Sequence, residues 1–213
     1  MAGIKIHTIY KLADGTKVPS VTTVLGILAK PALIHWAWKL GTEGLDYRKV
    51  REQAASIGTL AHYLIMCDLK GEKPDTTTYT AEQIGKAETS YLAWLEWVQD
   101  KRLRGVAVER PLVSETYRYG GTLDWVVSSP AGGLWLVDFK TGSGIYPEMR
   151  YQIAAYRNLW QEQQGVIEQA CIVRLDRETG AFEHHSLGNL DEEFAIFLHA
   201  LSIYQLQRQE GGQ

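Results

Sequence analysis

The 213-residue sequence predicts one α/β domain, and three observations carry that prediction. Residues 51–104 place apolar side chains at helical spacing. From Val106 the pattern changes to short β-branched and aromatic runs broken by turn formers. A helical segment from Pro147 to Gly165 then divides these runs into two groups, so helices must cover a sheet.

The elements follow in order. A short strand-like start leads to a turn at Asp14-Gly15, and Pro19 to Leu25 then runs into a helical pattern that continues through Trp38. Two helices are expected next, at Arg51 to Asp68 and at Ala81 to Arg104, with Gly105 as the stop and Gly71 to Thr78 as the loop between them. In the second, Ile84, Tyr91, Leu95 and Val98 recur near helical spacing. Val106 to Val113, Tyr117 to Ser128 and Leu134 to Lys140 read as a three-stranded meander, closed between the last two by Pro130-Ala131-Gly132-Gly133. Pro147 suits a first helical position. Ala170 to Leu175 and Ala181 to Leu187 form a further strand pair around Glu178-Thr179-Gly180, and an amphipathic helix starts near Asp191, before a disordered Gln/Gly tail.

Composition narrows the function. Hydrophobic residues make up 45% of the chain, an ordinary share for a globular domain, and the net charge of -3 argues against a protein that coats nucleic acid. No apolar run is long enough to span a bilayer, and the start lacks the layout of a signal peptide, so the expected location is the cytoplasm, the host's if the chain is phage-encoded. With only Cys67 and Cys171, a disulfide framework is not expected and a four-cysteine iron-sulfur cluster is excluded within one chain. There is no phosphate loop for ATP.

Chemistry concentrates between Gly121 and Tyr156. Side chains alternate along a strand, so Asp138 and Lys140 share one face while Trp135, Val137 and Phe139 pack on the other. The same count places Thr122, Asp124 and Val126 together. If the strands pair, Asp124 and Asp138 converge on one cation, with the Phe139 carbonyl placed to help. Such an oxygen-rich site suits magnesium or manganese. Lys140 would orient a water or neutralise charge developing on a phosphate. The competing reading makes Asp138 and Lys140 a surface ion pair, but Asp138 ends the apolar run Leu134 to Val137, where a solvated pair has little reason to be.

In order along the chain stand Gly58-Thr59-Leu60-Ala61-His62, Gly121-Thr122-Leu123-Asp124, Asp138-Phe139-Lys140-Thr141-Gly142, and Gln152 with Tyr156. In this set the chain resembles the PD-(D/E)XK nucleases of the RecB-like exonuclease branch, the small phage and mitochondrial genome maintenance type. The match runs from about Gly58 through Tyr156, and more loosely from Pro19. Leu123 stands where the family name has proline, at a variable position. The resemblance implies a restriction-endonuclease-like core, a mixed central sheet flanked by helices with an N-terminal helical elaboration over the cleft. It divides the single domain into a mostly helical part (1–105), a catalytic sheet and helix (106–190) and a C-terminal helix and tail (191–213). It implies metal binding by His62, Asp124 and Asp138, catalysis by Lys140, and substrate positioning by Gln152 and Tyr156. The function implied is metal-dependent hydrolysis of DNA, by exonuclease action, in replication, recombination or repair, with no iron-sulfur cluster. DNA ends are the implied partner, with a recombination or single-strand-binding protein as a further one. The rival functions are a structure-selective or nicking endonuclease and a DNA-binding module on a degenerate nuclease fold.

Several residues carry two readings. His62 shares a helical stripe with Arg51, Ala55 and Gly58, while Ile57, Leu60, Leu64 and Cys67 face a core; alone it would be a packed histidine. Gln152 and Tyr156 project from one side of their helix toward a phosphate or water, or else Tyr156 is core and Gln152 a satisfied amide. For Glu109, an edge-strand charge that opposes aggregation is favoured over a place near the metal. Among the basic residues, Arg51 and Arg150 flank the site and are expected on phosphates, as is Thr141. His35-Trp36-Ala37-Trp38-Lys39 offers aromatics beside positive charge, as a single-strand stacking platform would, although Trp36 and Trp38 point to opposite sides of a helix. Pro19 to Leu25 is given no mechanical role.

Overall fold

The structure, a computed structural model, describes residues 8–210. The tail at Gly211–Gln213 and most of the strand-like start lie outside the described residues. The elements are β1 (Tyr10–Lys11), β2 (Lys17–Val18), α1 (Val21–Leu25), α2 (Pro31–Thr42), α3 (Tyr47–Lys70), α4 (Ala81–Val98), β3 (Arg104–Ser114), β4 (Tyr119–Ser128), β5 (Leu134–Lys140), α5 (Pro147–Gln161), β6 (Gln169–Leu175), β7 (Phe182–Leu187) and α6 (Asp191–Glu210). Among the described residues no helix is long and apolar enough to cross a membrane.

Strands β3 to β7 form one mixed sheet in sequence order. All neighbours are antiparallel except β5 and β6, which run parallel because α5 crosses between them. Helices cover both faces, so the architecture is the mixed α/β sandwich that the sequence predicts. On one face α1, α5 and α6 bury Val21, Leu136, Ile153, Leu159, Ile172 and Phe197. On the other, Trp94 and Trp97 of α4 and Ile65 of α3 close over Trp125, Val137, Phe139 and Val173. The alternation read for β5 holds, since Leu136 lies under α5 while Val137 and Phe139 lie under α3 and α4.

Local chemistry sets the ends of the elements. Asp46 caps α3 through the Arg48 N–H (2.9 Å), and Gly71 ends it at φ 67. Thr80 and Gln83 form a reciprocal capping box on α4. This helix stops at Val98, short of the expected Arg104; beyond it Arg102 takes the left-handed region at φ 49, and Arg104 and Gly105 are taken up by β3. The helical pattern before residue 50 divides in two, with Pro31 opening α2.

The Pro19 to Leu25 segment gains a role. The Gly120 N–H donates to the Pro19 carbonyl at 2.9 Å, Ser20 bridges Gly120, and Val21, Val24 and Leu25 plug the core under α5 and α6. Tyr10 lies over Gly120 so closely that any Cβ there would collide with its ring. The segment and the β1–β2 hairpin therefore hold the start of β4.

Candidate functional site

The site forms where the sheet opens. The β4–β5 ladder begins at Ser128↔Leu134 and ends at Trp125↔Val137, so among the described residues no ladder joins these two strands beyond it. There the Asp124 carboxylate substitutes for the missing strand partner, accepting the Phe139 N–H on Oδ2 at 2.9 Å. The alternation of β4 slips at the same point. Leu123 and Val126 both enter the core beneath α5, although an odd step separates them, whereas Trp125 and Val127 lie beneath α4. Thr122, Asp124 and Val126 thus do not share a face as strict alternation predicts. Asp124 instead turns toward α3, where the His62 Nδ1 lies 3.5 Å from Oδ2.

A second break lies across the ladder. Glu109 of β3 stands between the pairs Val108↔Trp125 and Arg110↔Leu123, directly opposite Asp124, and adopts φ 48. A left-handed glutamate within a strand is strained, and it persists only where its surroundings hold it. Here the strain places a carboxylate beside the other two groups: ligand atoms of His62, Glu109 and Asp124 all lie within 4.8 Å of one another. Sequence reasoning favoured an edge-strand charge for Glu109. β3 is indeed an edge strand, but the side chain is half-buried and belongs to this cluster.

Asp138 and Lys140 complete the constellation from β5. The Asp138 side chain is 1% exposed, with Lys140 Nζ 2.5 Å from Oδ2. Neither carboxylate oxygen receives an aligned hydrogen bond among the described residues. Lys140 donates to Gln152 Oε1 at 3.1 Å, and Gln152 Nε2 donates to the Tyr156 hydroxyl at 2.9 Å, so α5 fixes the ammonium through a relay of side chains. Asp138 itself lies against Lys140, outside the trio that holds His62.

Electrostatics follow from this crowding of acids. Burial pushes Asp138 up to about 6, with Lys140 opposing and the Asp124 charge adding to the rise. Burial and the Asp124 charge push Glu109 up to about 7. Burial would also raise Asp124, but His62, Lys140 and the Phe139 amide outweigh it and hold its pKa below the ordinary value. For His62, burial works against the charged form, yet Asp124 prevails and raises the pKa. Burial and the Asp138 charge keep Tyr156 a neutral phenol.

These residues fit a hard divalent cation. The donors are carboxylate oxygens and one imidazole, a set suited to magnesium and better to manganese. Oδ1 of buried Asp138 has no partner among the described residues, and Oδ2 meets only the Lys140 ammonium. Since the N–H and C=O of one strand residue point to the same edge, the Phe139 carbonyl opens on the Asp124 side, where the ladder has ended.

The remaining residues predicted for the site sit as follows. Thr141 is buried, and its hydroxyl lies where a Cβ on Gly58 would come within 2.9 Å, so glycine there lets α3 approach the end of β5. Arg51 is exposed near the start of α3 and has no ion pair among the described residues. Arg150 is held by Glu193 of α6, its Nε at 2.9 Å. Sequence spacing does not reveal that pairing, because the two residues stand 43 positions apart.

No protein-family model matches the chain, and no curated protein sequence does. Among solved structures, the chain is similar to a crystal structure of LHK-Exo in complex with dAMP, at 14% identity and a TM-score of 0.39 over 75% of this chain and 91% of that one. It is also similar to a crystal structure of SSO0001, at 14% identity and a TM-score of 0.36 over 59% of this chain, which spans 60% of that protein's length. Likenesses of this extent assign no function.

Proposed function

We propose that the chain is a divalent-metal-dependent deoxyribonuclease that hydrolyses phosphodiester bonds, acting as an exonuclease. The observation that carries this reading is the convergence of three carboxylates, an imidazole and a lysine at one opening of the sheet. A surface ion pair would not bury Glu109 and Asp138 near Asp124, where burial first and the neighbouring acids second raise both of their pKa values. His62, Glu109, Asp124, Asp138 and the Phe139 carbonyl are the groups that would hold magnesium or manganese. Bound there, the ion would polarise the scissile phosphate and lower the pKa of a water.

Every other part is supplied by the chain. Lys140 Nζ, held between Asp138 and Gln152, stabilises charge that develops on the phosphate oxygens and costs no reorganisation. Gln152 and Tyr156 set the ammonium and leave donors for a phosphate. Arg51 lies on the His62 stripe of α3, since eleven residues return a helix to nearly the same face, and it contacts the strand about 16 Å from the histidine. Exonuclease action rests on the resemblance of the motifs alone.

A linear strand labelled at one end and blocked at the other, compared with a closed circle in magnesium or manganese, tests the reading. Progressive shortening of the linear strand with the circle intact is the expected result. Rapid cutting of the circle would refute exonuclease action, and an inert protein with every divalent ion would refute the nuclease reading.

A further inference from the structure

Helix α2 has no buried residue along its 12 positions. Trp38 is 69% exposed and Ile34, one turn before it, 73% exposed, so an aromatic and a branched side chain lie adjacent on an outer face that none of the described residues covers. The helix is nevertheless fixed at both ends. Lys30 at its N-cap pairs with Glu148 in the first turn of α5 at 3.1 Å. At the other end the Leu45 N–H reaches back to the Leu40 carbonyl at 2.9 Å around left-handed Gly44, and α3 starts at once from its Asp46 cap. α2 therefore spans from the helix that carries Gln152 and Tyr156 to the helix that carries His62.

Charge identifies the occupant. Residues 30–51 hold five lysines and arginines against two acids, a net +3, in a chain whose net charge is -3. Arg48, Lys49 and Arg51 are all exposed on the first turns of α3, which only four residues separate from the end of α2. We propose that the α2–α3 elbow is a binding site for single-stranded DNA, with Trp38 as the platform on which a base stacks and Arg48, Lys49 and Arg51 on the adjoining phosphates. Unpaired bases expose the faces that an isolated tryptophan recognises, and a duplex hides them. The assignment deepens the nuclease reading and rests on it for the purpose of the site, but its binding test does not require cleavage.

The test uses the full-length protein in EDTA with a fluorescent oligothymidylate and a blunt hairpin duplex. Trp38→Ala should weaken binding of the oligothymidylate about tenfold or more while affecting the duplex less, and Trp38→Phe should restore most of the loss. Arg48→Ala with Lys49→Ala should reduce the salt dependence of binding. Wild-type protein that does not bind the oligothymidylate, or Trp38→Ala that binds it with unchanged affinity, would overturn the proposal. So would an oligomer in sedimentation that Trp38→Ala dissociates without effect on the oligothymidylate, which would make the face a contact between copies of this chain. Hydrolysis of bis(p-nitrophenyl) phosphate by the wild type with manganese reports on the nuclease reading alone, so the two failures are told apart.

Discussion

The Phe139 N–H donates to Asp124 Oδ2 across 2.9 Å, at the point where the backbone ladder between their strands has stopped. One carboxylate thus closes an open sheet, orients His62 and faces Glu109. Asp124→Ala would leave the Phe139 amide unpaired and is expected to lower the stability of the metal-free protein by about 1–3 kcal/mol. Calorimetry should show the heat of manganese binding disappear in this variant. Unchanged binding would remove Asp124 from the ligand set.

The buried acids predict how stability responds to pH in EDTA. Glu109 and Asp138 have folded-state pKa values of about 7 and about 6, above their ordinary values, so the folded protein holds these protons more tightly than the unfolded chain. Their contribution is present at low pH and is lost as pH rises through those values. His62, also raised, acts in the same direction, whereas lowered Asp124 acts only at the acidic end. Between pH 5 and 8 the melting temperature should fall by about 5–10 °C, a few kcal/mol. Glu109→Gln should flatten this slope, and manganese should oppose it. A melting temperature that rises toward pH 8 without metal would contradict the burial of these acids.

Lys140→Ala removes the ammonium paired with Asp138 and should raise that carboxyl further. Turnover on DNA is expected to fall about a hundredfold or more, with a small change in KM, because the role proposed for the ammonium is on charge that develops during reaction. Single-turnover kinetics with a labelled strand would measure both. A variant that cuts at the wild-type rate would exclude the lysine from the chemistry.

Gly121 shows how closely the relay is packed. A Cβ there would lie 2.5 Å from Tyr156 Cε1, so Gly121→Ala must displace the ring that holds Gln152. A stability loss of about 1–3 kcal/mol is expected, together with a fall in turnover greater than that of Tyr156→Phe, which loses only the hydroxyl. Denaturant unfolding and steady-state kinetics on the two variants would test the comparison. Equal stability for Gly121→Ala and wild type would show that the ring can move aside.

Much of this was legible because alternation and helical spacing are local rules. Asp138 and Lys140 could be separated from Val137 and Phe139 by counting, and Ile57, Leu60, Leu64 and Cys67 of α3 are buried as their spacing indicates. What escaped counting is set by breaks in those rules. Glu109 enters the cluster through a left-handed backbone within a strand, and Val126 leaves the face of Asp124 because β4 slips where its partner ends. The Arg150 pairing with Glu193 and the hold of Pro19 on Gly120 depend on tertiary neighbours that no local window contains.

The site draws His62 from one helical layer and Gln152 from the other, with the splayed strands between them. A chain that has condensed only one layer onto its sheet therefore holds half of the reactive groups and none of the chemistry. Recovery of cleavage during refolding should accordingly trail the appearance of helical signal and coincide with closure of the second layer. On the nuclease reading, an unfinished molecule would thereby be kept from damaging nucleic acid.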